Sequence, residues 1–235
     1  MTDDLSDRDV RAALAGALEG AVADPAWLAD AVRRVSAHPA AIGTLFPAVS
    51  RHCGRGPLPS GPPGLAGWTV DDAVRALLLT VLPLRGPALA AEAGLLYRCG
   101  DAAEKRAVLR ALPWLDIGDG GVELLHDAIR SNDPRLVTAA LGPYAVRLAG
   151  PTWRQAVLKC LFMDIPLGQV SGLAARADGE LGRMLADLAA ERRAAGRPVP
   201  ADAAALLAQL TGGSPGRSGA AEEASPCGSS TRIFT

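Results

Sequence analysis

The feature that most limits the fold of this chain is the spacing of its apolar side chains, which return every three to four residues and almost never alternate. Val74, Leu77, Leu78, Val81 and Leu82 fall at i, i+3, i+4, i+7 and i+8, one stripe of a helix rather than one face of a strand. Thr69 precedes that stripe as an N-cap residue, and Asp71 and Arg75, one turn apart, are expected to pair on its wet side. Further helices are expected over 88–99, 102–112, 121–131 and 178–195. Asp133 ahead of Pro134 marks another start, because a short acceptor side chain caps the helix and proline gives up no needed N–H in the first turn. Thr152 and Gln155 have the spacing of a capping box ahead of Ala156, Val157, Cys160 and Leu161, with Trp153 opening the stripe. Segments 7–22, 25–36 and 40–51 add three helices with shorter apolar faces.

The expected class is therefore all-α: antiparallel helical hairpins, packed as a bundle or as a HEAT-like α-solenoid. Trp27, Trp68, Trp114 and Trp153 are 41, 46 and 39 residues apart, near the ~40–47 period of two-helix repeats, which points toward the stacked arrangement. Prolines and glycines crowd positions 54–67 and preclude a helix there, so a loop is expected between N-terminal helices (1–53) and a helical domain (68–210). Positions 211–235 are small and polar and read as a disordered tail.

Composition narrows the function. Lys+Arg 24 against Asp+Glu 25 leaves a net charge of −1, which gives no drive toward nucleic acid or an anionic membrane. The longest strongly apolar run, 76–84, is broken by Thr80 and Pro83 and falls far short of the ~20 residues of a transmembrane helix. The start of the chain is acidic where an export signal is basic and then apolar, so a cytoplasmic location is expected. Cys53, Cys99, Cys160 and Cys227 are widely scattered, which fits idle thiols better than a disulfide or zinc framework. No metal and no cofactor is expected.

Chemical signatures are sparse. Phosphate-binding glycine loops, H-E-x-x-H and G-x-S-x-G do not occur. Asp71 and Asp72 lack the third carboxylate a magnesium cluster needs, and they read better as acids complementing a helix dipole. His52 beside Cys53 lacks converging ligands. His126 shares the non-core side of its helix with Glu123, Asp127 and Arg130, which reads as a solvated face. Lys159 is one of only two lysines, with Lys105, in a chain whose other basic residues are arginines; it sits one turn after Gln155 and suits an anion contact, a Schiff base or a surface role. Arg130, Asn132 and Arg176 can clamp an anion or cap and pair locally.

The stretch from Trp153 to Leu167, followed by Gly172-Leu173, Arg176-Ala177-Asp178, Met184-Leu185 and Glu191-Arg192 through Val199, resembles the EboA family. Asp71-Asp72-Ala73-Val74-Arg75, Tyr97-Arg98, Ala111-Leu112-Pro113, Ile129-Arg130-Ser131-Asn132 and Pro143-Tyr144 fall in the order of that family, so the resemblance covers 68–199. The chain departs from the pattern at Arg154, Ala174, Asp178 and the run Ala190-Glu191-Arg192-Arg193. The resemblance implies a bacterial gene cluster that makes or moves a secondary metabolite, with the cluster's other proteins or a small metabolite as partners. Arg130, Asn132, Tyr144, Trp153, Gln155, Lys159, Arg176, Glu191 and Arg192 are the candidate ligand-binding residues.

Two functions follow as expectations. One is a non-catalytic helical accessory protein binding a pathway protein or an apolar metabolite. The other is an enzyme for a phosphorylated or prenylated intermediate, which requires Lys159, Arg130 and Glu191 to open into one pocket.

Overall fold

The three-to-four-residue rhythm is realised as helix throughout. A computed structural model of the chain describes residues 7–59 and 63–212; among these, twelve α-helices form and no strand does. They are α1 (Asp7–Leu18), α2 (Pro25–Ala37), α3 (Ile42–Cys53), α4 (Val70–Thr80), α5 (Gly86–Cys99), α6 (Ala102–Ala111), α7 (Val122–Arg130), α8 (Pro134–Ala140), α9 (Gly150–Phe162), α10 (Leu173–Arg176), α11 (Gly179–Ala194) and α12 (Ala201–Gly212). None is long and apolar enough to cross a membrane. Helix α12 carries the chain to Gly212, two residues into the expected tail, and positions 213–235 lie outside the described residues.

Side-chain caps fix several of the starts. Asp24 accepts from Trp27 N (2.9 Å) ahead of α2, Asp133 from Arg135 N (2.9 Å) ahead of α8, and Asp178 from Leu181 N (2.9 Å) ahead of α11. Asp101 accepts from Ala103 N and Glu104 N (both 2.9 Å), while the Glu104 carboxylate accepts from Asp101 N (3.2 Å), closing a capping box at α6. The expected box of Thr152 and Gln155 does not form. Helix α9 starts at Gly150, because Pro151 is already at home in a first turn and Trp153 N bonds Ala149 O at 2.9 Å. Thr152 is therefore inside the helix. Helices α10 and α12 are absent from the sequence reading: α10 is one turn long, and the alanine-rich α12 offers little periodic contrast.

Packing is organised around α4. It contacts α1, α2, α3 and α6, and all eleven of its residues are buried. From α6 the chain continues by neighbour contacts through α8, α9, α11 and α12, and one cluster of buried residues runs from Val10 to Leu206. The four tryptophans occupy different environments: Trp27 stacks on His52, Trp68 on Trp114 (ring centroids 4.9 Å apart), and Trp153 lies buried beneath Arg176. The loop at 54–59 folds back on the entry to α4, with Leu58 N bonding Trp68 O and Val70 N bonding Gly56 O (both 2.9 Å).

Complete burial of α4 overturns one expectation. Asp71 and Arg75 do pair, at 2.7 Å, but on the inside: Asp71, Asp72 and Arg75 are each at most 1% exposed. The reason is that α3 and α6 supply partners from far along the chain. Arg75 donates from Nη2 to Ser50 Oγ (2.9 Å) and from Nε to Phe46 O (3.2 Å), and the Glu104 carboxylate lies 3.8 Å away. Asp72 accepts from Arg110 Nη1 (2.6 Å), Arg106 Nε (3.0 Å), Thr69 Oγ1 (2.8 Å) and Thr69 N (3.2 Å). Three carboxylates thus face three guanidiniums, which is the condition for burying charge at tolerable cost.

Burial works to raise the Asp71 carboxyl, but hydrogen bonds from Thr69, Arg75 and Ser50 and the Arg75 charge outweigh it and hold the group below the ordinary carboxylate range. A carboxyl lowered on folding stabilises the fold above its unfolded value, about 3.9, and that stabilisation is lost as pH falls through the lower folded value. Urea midpoints below about pH 4 should therefore fall more steeply for the wild-type chain than for Asp71→Asn. Arg75→Met leaves Asp71 buried without its cation and should cost about 3–5 kcal/mol in urea unfolding at pH 7.

Candidate functional site

Two of the cavities between the described helices bear on function. The smaller, about 420 Å3, lies between α7 and α9 and is lined by His126, Ile129, Arg130, Thr152, Gln155, Ala156 and Lys159. Three residues singled out from sequence, Arg130, Gln155 and Lys159, therefore converge. Their availability differs. The Lys159 ammonium donates to Ile129 O (2.6 Å) and Ser131 O (2.7 Å), closing the carbonyl end of α7. Arg130 is exposed and paired with Asp127 at 3.4 Å, and His126 Nδ1 lies 3.4 Å from the Glu123 carboxylate.

The other sequence candidates are placed elsewhere. Asn132 is exposed in the turn between α7 and α8. Tyr144 is buried, donating to Gly118 O and accepting from Gly121 N at 3.0 Å; a Cβ at Gly121 would lie 3.0 Å from the tyrosine ring and from a Leu112 methyl, so a larger residue there requires those side chains to give. Burial pushes the Tyr144 hydroxyl above its usual titration range. Trp153 is 1% exposed, with the Arg176 guanidinium 4.5 Å over its ring. Arg176 donates to Ala145 O and to Leu148 O (2.8 Å), tying α10 to the turn after α8; burial, with Arg154 nearby, lowers its pKa. Glu191 is exposed on α11 outside the lining of the smaller cavity, and Arg192 bonds Pro198 O at 2.9 Å.

Sequence reading missed the larger cavity, about 530 Å3. Arg11 of α1, Ser36 near the end of α2, the turn Thr80–Leu82–Pro83–Leu84 after α4, Leu89 of α5, and Trp114, Leu115 and Asp116 after α6 contribute to its lining. Its frame is fixed by Gly86 N bonding Asp116 O at 2.7 Å, with Gly86 at φ +54°, a conformation that favours glycine. Trp114 is held by its stack on Trp68, and the Arg110 guanidinium lies 5.5 Å from the Trp68 ring. A chain of contacts therefore links the buried charges of α4 to the cavity wall. No local signal reveals this site, because its walls come from five separate segments. Arg11 stands next to Val10, which is buried with Leu14 and Leu18 along α1.

The two buried thiols are not activated. Burial pushes both Cys53 and Cys160 up to about 11, and Cys99 is the exposed one of the three described cysteines. Among the described residues no group of three or more His, Cys, Asp or Glu side chains is placed to hold a metal ion.

A family model described as metabolite traffic protein EboA matches residues 63–207, more than half of the chain. No curated protein and no solved structure matches. The matched span includes the whole smaller cavity and most of the larger one, but Arg11 and Ser36 lie outside it.

If Lys159 chiefly closes α7, Lys159→Met should lower stability by about 1–3 kcal/mol. Amide exchange at 128–132 should accelerate while the remaining helices keep their protection, as hydrogen-exchange mass spectrometry would read.

Proposed function

The chain belongs to the EboA family, and from that premise we propose that it is a non-catalytic helical carrier in metabolite traffic, holding a small, largely apolar metabolite in the larger cavity. The observation that carries this reading is the cavity itself. Its volume of about 530 Å3 lies in the ~300–1,000 Å3 range of small-molecule sites. Val81, Leu82, Leu84, Leu89, Trp114 and Leu115 supply apolar surface, and Arg11, Ser36, Thr80, Arg85 and Asp116 supply the polar part of the lining. Such a lining binds by removing apolar area from water, at roughly 25 cal/mol per Å2, and it sets no reacting group against its occupant. The receiving partner, on this reading, is another protein of the same bacterial secondary-metabolite cluster.

The placement of the polar candidates supports a carrier over an enzyme. An acid–base reaction on an anionic substrate needs a proton-transfer group and anion holders within hydrogen-bond reach of one another. Arg130 and Lys159 share the smaller cavity, but Glu191 and Arg176 are not part of it, and the Lys159 ammonium is committed to two backbone carbonyls.

The full chain purified from its native host should retain one small molecule, released by solvent extraction and visible by native mass spectrometry. Leu84→Trp, which fills the cavity, should lose that molecule while its thermal midpoint stays within a few degrees of wild type. A wild-type protein that carries nothing, or a Leu84→Trp protein that carries as much, would sink the reading.

A further inference from the structure

We propose that the larger cavity selects an amphipathic organic anion, one carboxylate or phosphate group on an apolar body, and that Arg11 makes the anion contact. The inference rests on the carrier reading of this cavity and specifies its cargo. Its starting point is a polar atom in an apolar setting: Arg11 lines the cavity, and its Nε is buried without a hydrogen-bond partner. No ion pair or hydrogen bond holds the Arg11 guanidinium among the described residues, so an oxygen anion inside the cavity gives that charge a partner at the part of the group that lines the cavity. Guanidinium suits the task because its planar fork presents paired donors to a carboxylate or phosphate.

The other charges on the lining do not compete. Asp116 is paired with Arg85 at 3.4 Å, and both side chains are more than 60% exposed at the mouth, so this pair forms a neutral rim. The Thr80 hydroxyl donates inward to Leu77 O at 2.8 Å, and Arg11 is the cation of the lining with no ion pair among the described residues. Leu84, Leu89 and Leu115 of the same lining can cover an apolar body but cannot satisfy an anion. Arg11 also lies outside the family-matched residues 63–207, so the anion contact is supplied by the N-terminal helices that dock on α4.

The test uses the full chain and three probes with one tail, octanoate, octyl phosphate and octan-1-ol, titrated calorimetrically at neutral pH. Wild type should bind both anions at least about tenfold more tightly than the alcohol, the discrimination expected of a charge-assisted hydrogen bond. Arg11→Met, which keeps the apolar stem, should abolish that preference and leave octanol affinity within about threefold. Arg11→Lys should restore part of the preference, and Arg11→Gln carries the same expectation as Met should that variant fail to fold. Equal binding of octanol and octanoate to wild type, or an anion preference that survives Arg11→Met, overturns the inference and leaves the carrier reading intact. If none of the probes binds, the inference falls as well, and the extraction experiment decides the carrier reading separately.

Discussion

The arrangement of this protein depends on neutralising charge in its interior. Helix α4 is enclosed on every side, yet its first turns carry Asp71, Asp72 and Arg75. Isolated, any one of these would forbid that enclosure, because taking an ion out of water costs several kcal/mol even after the surroundings relax. The fold resolves this by drawing Arg106, Arg110 and Glu104 from α6 and Ser50 and Phe46 from α3 to the same point. Apolar contacts bring α3, α4 and α6 together without strong directional preference. The ion pairs add direction, since only one register of α6 against α4 places two guanidiniums on Asp72.

That register has a consequence at the surface. Arg110 bonds both Asp72 and Gly67 O while lying over Trp68, and Trp68 stacks on Trp114. Trp114 in turn forms part of the larger cavity's wall. A wall residue held through an aromatic stack to a buried ion network is preorganised, so less side-chain freedom is lost when a ligand enters. Helix α1, which packs on α4, contributes Arg11 to the same lining.

How much of this was legible in the sequence follows from the range of each interaction. Helices whose stripes and caps are local, such as α4, α6, α8 and α11, stand in the sequence within a few residues of their observed bounds. The pairing of Asp71 with Arg75 was equally legible, because i, i+4 neighbours meet on any helix. Its burial was not, since the deciding partners, Ser50, Phe46 and Glu104, are 21 to 29 residues away in sequence. The start of α9 shows a different failure: the Thr152–Gln155 spacing competes with Pro151, and the preference of proline for a first turn prevails. For the sites, α7 and α9 bring Arg130, Gln155 and Lys159 together as helical faces can, whereas the five-segment cavity containing Arg11 left no periodic trace.

The residues that carry the family resemblance illuminate what that resemblance encodes. Lys159 holds Ile129 O and Ser131 O, Arg176 holds Ala145 O and Leu148 O, Arg192 holds Pro198 O, and Tyr144 bridges Gly118 O and Gly121 N. In each case a long polar side chain satisfies backbone groups that helix ends and turns leave unpaired. Short helices joined by tight turns expose many such groups, and burying them without partners is costly, so architecture alone accounts for a demanding polar pattern in this block. Ligand choice then need not reside in the same residues. It can be set where the helical stack meets its N-terminal helices, at a cavity whose apolar wall belongs to the family-matched region and whose unpartnered guanidinium N–H does not.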